Sequence, residues 1–183
     1  MDSQKIFEML QVAYSECGEH CFRVAQLAEE FCGFLQLDTK TIATIKQAAL
    51  FHDVGKLSIP ECILDKPTKL SDTEWKTMKQ HVVFSAEFLS GAGFSDEVCE
   101  IVRHHHERWD GHGYVDGLSG MDIPYGARII ALCDSFDAMH NARCYKEPFT
   151  TESCLEEIAR NSGIMYDPEL TDAFLAFYTS ECS

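Results

Sequence analysis

Residues 104–106 are three consecutive histidines, followed by Glu107 and a glycine-rich stretch that ends in Gly113-Tyr114. Other histidines stand at 20, 52 and 81, and Asp53 follows His52 directly. Imidazole and carboxylate are ligand types suited to iron, manganese or zinc. His20, His52 and Asp134 each fall where the helical period calls for an apolar residue. Leaving such groups buried and unpaired costs roughly 1–3 kcal/mol each. A shared cation removes that cost and explains why the intrusions are imidazole and carboxylate. The pattern points to a metal site.

The histidine triplet divides on a helix running from Asp96 to His106. Glu97, Glu100 and His104 share a polar face, so His104 is expected to meet water. His105 shares the opposite face with Val98 and Ile101, and His106 the neighbouring stripe with Val102. Two adjacent inward imidazoles suit a metal better than they suit apolar packing. In His52-Asp53-Val54-Gly55-Lys56, an imidazole and a carboxylate meet at a helix end, and a carboxylate can bridge two ions. Gly55 permits a sharp exit that brings Lys56 back over the site.

Helices must carry these residues, because the apolar spacing is helical nearly throughout and no segment alternates as a strand. His20, Val24, Leu27, Phe31 and Leu35 form one stripe over residues 16–35. Asp38 is placed to N-cap a second helix with Ile42, Ile45, Ala49 and His52 inward. Ser71-Asp-Thr-Glu74 is a capping-box signature, opening a helix with Trp75, Met78, Val82, Ser85 and Leu89 inward. Pro124 suits the first turn of a helix with Ala127, Ile130, Asp134 and Asp137 on one face. Thr151–Arg160 and a helix opened by Asp167-Pro168 complete the series. The expectation is a single all-α domain of seven to eight helices over residues 1–183, with its motif-bearing core at 16–178.

Composition narrows the partners. Thirty acids against fifteen lysines and arginines give a net charge of −15. With no basic stripe to displace counterions, duplex nucleic acid and anionic membranes are poor partners. A small anionic substrate remains compatible, since screening beyond about 8 Å makes the local field decisive. The start, MDSQKIFEMLQVAYSEC, has no signal-peptide pattern, so the expected location is cytoplasmic. Nine cysteines without a C-x-x-C pair read as reduced, mostly buried thiols. Cys17 and Cys21 flank His20 but lack a zinc-site spacing. Asp137 and Glu107 are placed to orient ligand histidines. His112 is expected in solvent, His140 in a structural role, and Trp75 and Trp109 as core or loop anchors.

The order His20…His52-Asp53…Asp134 resembles the HD superfamily of metal-dependent phosphohydrolases. HDVGKLSIPECILDKPTKL, MKQH, HHERWDGHGY, IPYGARIIALCDSFDAM and MYDPEL look like its HD-GYP branch, the bacterial cyclic di-GMP phosphodiesterases. The resemblance implies that His20, His52, Asp53 and Asp134 hold one ion. Asp53 would bridge to a second ion held by His81, His105 and His106, and Glu16 would accompany a third. The ions would be iron or manganese foremost, with zinc or nickel also suited. Lys56 would contact the scissile phosphate, Tyr114 would line the substrate pocket, and Arg143 with Lys146 would engage the distal part of the dinucleotide. Attack by a metal-bridged hydroxide would yield the linear dinucleotide or GMP. Other readings are a phosphohydrolase of another nucleotide or mixed cyclic dinucleotide, and a non-catalytic signalling module that binds the dinucleotide. The resemblance covers a catalytic domain usually attached to a sensory one, which leaves room for a separate regulatory protein.

Several positions depart from the family pattern. Val115 and Cys144 replace prolines, Ala142 replaces an acid, Lys146 replaces an arginine, and Ser85 stands where glycine is common. None of them is among the implied metal ligands.

Overall fold

Helical spacing becomes helix over most of residues 15–141 and 149–180, which the computed structural model describes. Helix α1 spans Ser15–Phe34 and α2 spans Thr39–Phe51, followed by a 3₁₀ turn at Val54–Ser58. A single turn, α3 (Glu61–Leu64), precedes α4 (Asp72–Met78), α5 (His81–Gly91) and α6 (Asp96–Arg103). After a second 3₁₀ turn at Gly120–Asp122 come α7 (Tyr125–His140), α8 (Thr151–Arg160) and α9 (Pro168–Ser180). Setting the short α3 aside, eight helices and no strand are found among the described residues, in line with the all-α expectation.

The anticipated caps start these helices. Asp38 Oδ1 accepts from the Lys40 and Thr41 backbone amides at 3.0 and 3.1 Å. Ser71 and Glu74 form a reciprocal capping box at α4. Asp167 Oδ1 accepts from Glu169 N at 2.9 Å, opening α9. Such caps satisfy backbone donors that a helix start leaves unpaired.

The core lies where α1, α2 and α7 meet, with α5 and α6 closing one side and α8 and α9 the other. Phe31 of α1 and Phe174 of α9 are fully buried and meet edge-to-face at 5.0 Å, which ties the first described helix to the last. Burying one such ring stabilises by roughly 1.5–3 kcal/mol. This packing fixes the helices from which the histidines project or beyond which they follow.

Two expectations are corrected. The helix opened by Ser71 does not run on to Leu89; it breaks at Lys79-Gln80 into α4 and α5. At the break the Met78 carbonyl takes the His81 ring N–H instead, at 2.9 Å. Trp75 consequently does not face inward and is 47% exposed. Helix α6 stops at Arg103, so the wheel that sent His104 to water does not extend to the triplet. His104 is buried, only 5% exposed. Its Nδ1 donates to the Glu100 carbonyl at 2.8 Å, and its Nε2 lies 3.0 Å from the Asp116 carboxylate. The returning loop covers the histidine.

Candidate metal centre

Five elements deliver the chemistry to one place. His20 comes from α1, His52 and Asp53 from the end of α2, His81 from the first position of α5, His105 and His106 from just beyond α6, and Asp134 from α7. One ligand atom each from Asp53, His81, His105 and His106 lies within 4.8 Å of the others. His20, His52 and Asp134 form a second such group. The two groups touch, since His52 Nε2 lies 3.5 Å from Asp53 Oδ2 and His81 Nε2 lies 3.3 Å from Asp53 Oδ1. Asp53 stands between them.

Gly55 makes that contact possible. A methyl group there would lie 2.1 Å from the His81 carbonyl oxygen and 2.4 Å from Ser85 N. The glycine lets the 3₁₀ turn press onto α5, and its amide donates to Ser85 Oγ at 2.7 Å. The hydroxyl that departs from the family pattern thus has a structural partner. The turn also brings the Lys56 ammonium onto Asp53 Oδ2.

Three of the imidazoles share one arrangement. The Nδ1 atoms of His52, His81 and His105 donate to the carbonyls of Ala49, Met78 and Val102 at 2.7, 2.9 and 2.6 Å. A carbonyl accepts only, so Nδ1 carries the proton and a neutral ring leaves its lone pair on Nε2. Those three Nε2 atoms are buried and have no hydrogen-bond partner. An orphaned acceptor costs roughly 1–3 kcal/mol, and three of them around one carboxylate could be met by a cation. The residues fit a metal.

The His20 ring is oriented differently. Its Nδ1 lies 2.6 Å from Asp137 Oδ2 and its Nε2 lies 2.9 Å from Asp134 Oδ1. Arg23, one turn along α1, holds Asp137 through Nε at 2.7 Å and Nη2 at 3.0 Å. Asp137 thus holds His20 in place, the contact anticipated for it, whereas Arg23 had no sequence signal beyond its i+3 spacing from His20.

A family model for the HD domain matches residues 5–170. This chain belongs to the HD domain family. Among relatives of the HD domain, a 3'3'-cGAMP-specific phosphodiesterase 2 of Vibrio cholerae is 41% identical over 87% of this chain and 31% of its own length. The cyclic di-GMP phosphodiesterase response regulator RpfG of Xanthomonas campestris pv. campestris is 39% identical over 90% of this chain and 44% of its length. This chain therefore spans about a third to under half of these curated relatives. The structure of a Bdellovibrio bacteriovorus HDG"Y"P protein has a TM-score of 0.70 at 18% identity, covering 88% of this chain and 52% of that one. The Listeria monocytogenes PgpH HD domain, solved with cyclic-di-AMP, has a TM-score of 0.67 at 14% identity, covering 97% and 95%. At that identity both show the shared fold.

Electrostatics separates the two groups of this HD domain. Burial disfavours charge on His20, yet Asp134 and Asp137 outweigh it and raise its pKa to about 9. Burial and the neighbouring positive charge push His81 and His105 down, and His106 falls to about 4. Burial opposes ionisation of Asp53, but Lys56 and the surrounding imidazoles hold it well below the usual carboxylate range.

The remaining candidates sort plainly. The Tyr114 ring lies 4.9 Å from His106 and 6.3 Å from Trp75, with Lys79 Nζ 5.7 Å from its centre. Burial raises its hydroxyl pKa. Glu107 serves the loop rather than a histidine: its Oε1 accepts from Asp116 N and Gly117 N at 2.7 and 2.9 Å. Trp109 anchors the same loop, its amide donating to the Met165 carbonyl at 3.1 Å. His112 is exposed, and His140 stacks on Phe136 at 5.4 Å. The Glu16 and Cys17 side chains, and Ala142, Arg143, Cys144 and Lys146 altogether, lie outside the described residues.

Proposed function

We propose that this HD domain is a metal-dependent phosphodiesterase that hydrolyses a cyclic dinucleotide, with cyclic di-GMP as the first substrate to test. The three buried, partnerless Nε2 atoms of His52, His81 and His105 carry this reading. His20, His52, Asp53 and Asp134 hold one ion; Asp53, His81, His105 and His106 hold another. Glu16 accompanies a third ion. Iron or manganese suits these ligands first, with zinc or nickel next. When bound, such ions supply Lewis-acid stabilisation of a phosphoryl oxygen and acidify water.

The protein's own residues bind and orient. Lys56 sits beside Asp53 at the junction of the groups, where its ammonium meets a phosphoryl oxygen and offsets developing charge. Tyr114 and the half-exposed Trp75 form an aromatic edge next to His106, suited to a nucleobase. Arg143 and Lys146 engage the far half of the dinucleotide. A mixed substrate is the second reading, because the 41%-identical relative is named a 3'3'-cGAMP-specific phosphodiesterase.

No helix among the described residues is long and apolar enough to cross a membrane. We place the domain in the cytoplasm, acting on a diffusible nucleotide, either under a separate regulatory protein or constitutively. Chain loaded with manganese or iron should be assayed on cyclic di-GMP, 3'3'-cGAMP and cyclic di-AMP with product identification. Linear dinucleotide or mononucleotide from the first, abolished in Asp53→Ala, supports the proposal. Tight binding without turnover in either metal would make the domain a binding module.

A further inference from the structure

The residue after His20 on α1 is Cys21, fully buried. Its thiol, a ring nitrogen of His52 and a carboxylate oxygen of Asp53 lie within 4.8 Å of one another. His52 Nδ1 gives its proton to the Ala49 carbonyl at 2.7 Å, so the lone pair the ring offers a cation is on Nε2, buried and without a hydrogen-bond partner. The other described buried cysteines, Cys32, Cys99, Cys133 and Cys154, join no such group of ligand residues. Cys21 alone among them stands beside histidine and carboxylate ligands.

We propose that Cys21, His52 and Asp53 form a separate binding position for a thiophilic cation, of which zinc and cadmium are the test cases. A thiolate favours soft or borderline ions, whereas imidazole and carboxylate alone suit manganese or ferrous iron. On coordination the thiol proton leaves to solvent, and no oxidant or reductant is involved. The position draws on His52 and Asp53, which the proposed function assigns to the two hydrolytic ions, and it rests on that assignment. One nitrogen lone pair cannot serve two cations. A soft ion at Cys21 therefore excludes the hard ion that His52 would otherwise share with His20 and Asp134. The domain acquires a built-in route to reversible inhibition by soft metals.

The test uses metal-free, reduced protein titrated with cadmium, or with cobalt(II) standing in for spectroscopically silent zinc, following thiolate-to-metal charge-transfer absorption in the ultraviolet. A band is expected in the wild type, lost in Cys21→Ser and in Cys21→Ala, and retained in Cys62→Ser, which removes an exposed thiol. Circular dichroism checks that the variants fold. In parallel, the manganese EPR signal reports hard-ion binding. Cadmium should displace manganese from the wild type at lower concentration than from Cys21→Ser. Absence of the band in the wild type, or a band of equal intensity in both Cys21 variants, overturns the proposal. If manganese binds normally while no Cys21-dependent band appears, the hydrolytic reading survives and this one does not. Failure of manganese to bind at all counts against the ligand assignments of the proposed function, whatever the band shows.

Discussion

The two ligand groups are built from the same residue types and behave oppositely. In the His20–His52–Asp134 group, carboxylates flank an imidazole: Asp134 lies 2.9 Å from one ring nitrogen of His20 and Asp137 lies 2.6 Å from the other. The ring holds its proton up to about pH 9. In the second group, three imidazoles surround one carboxylate that Lys56 also contacts, and His106 resists protonation down to about pH 4. Without a cation, the first group stores a proton on His20 beside the lone pair of His52, and the second presents lone pairs alone. A metal entering the first must expel that proton, while the second is ready at neutral pH. The second group should therefore fill first, and raising the pH should strengthen binding at the first.

Removing the residue common to both groups should erase the distinction. Asp53→Ala is expected to lose both ions and to reduce phosphodiesterase activity by well over about 100-fold, beyond what loss of an orienting partner does. Metal analysis alongside the assay decides it; a variant that keeps its metal and its rate would remove Asp53 from the centre. The next effect separates the groups. Asp137→Asn should weaken metal binding at the His20 group by about 10–100-fold and leave the His81–His105–His106 group loaded. Half-occupancy by metal analysis is the expected reading, and full loading at both positions would contradict it.

The opposed proton affinities also predict a stability profile for metal-free protein. The pKa of His20 is raised from 6.5 to about 9, so its contribution is complete below pH 6.5 and is lost as pH rises through 9. The pKa of His106 is depressed from 6.5 to about 4, so the folded state loses stability as pH falls from 6.5 towards 4. Each limb is worth on the order of a few kcal/mol. The chelator-treated protein should melt highest near pH 6.5. His20→Gln should flatten the alkaline limb alone, and an unchanged alkaline limb would break the comparison.

Much of this was legible in the sequence because helices obey a short-range period. The stripes through Val24, Phe31, Ile45 and Phe174 needed only spacing, and all four residues are buried. His20, His52 and Asp134 stood out as polar intrusions on such stripes, so their convergence could be anticipated. What escaped was decided at helix ends, where periodicity has no authority. Helix α6 stops one residue before the triplet, and a loop that returns Asp116 to His104 buries a ring that the wheel had turned outward. The break between α4 and α5, where the Met78 carbonyl takes the His81 ring N–H, was likewise invisible to the period, and Trp75 ahead of it is exposed. Arg23 on Asp137, Ser85 under Gly55 and Cys21 beside His52 are contacts between distant segments. No local pattern encodes them.

His104 allows the smallest test, because it differs from its neighbours in what it faces. His105 Nε2 is buried without a hydrogen-bond partner, whereas His104 meets protein through both ring nitrogens, the Glu100 carbonyl and the Asp116 carboxylate. Arg103 would still hold Asp116 at 2.9 and 3.1 Å in a His104→Ala protein, so the loop loses one of two clamps. The expected cost is about 1–3 kcal/mol of stability from lost hydrogen bonds and an unmet carbonyl, with full metal loading. His105→Ala should instead lower metal content while removing an orphaned nitrogen, so its metal-free form should suffer less in melting temperature than its loaded form. If His104→Ala lost metal as His105→Ala does, the boundary of the centre would move to include the whole triplet.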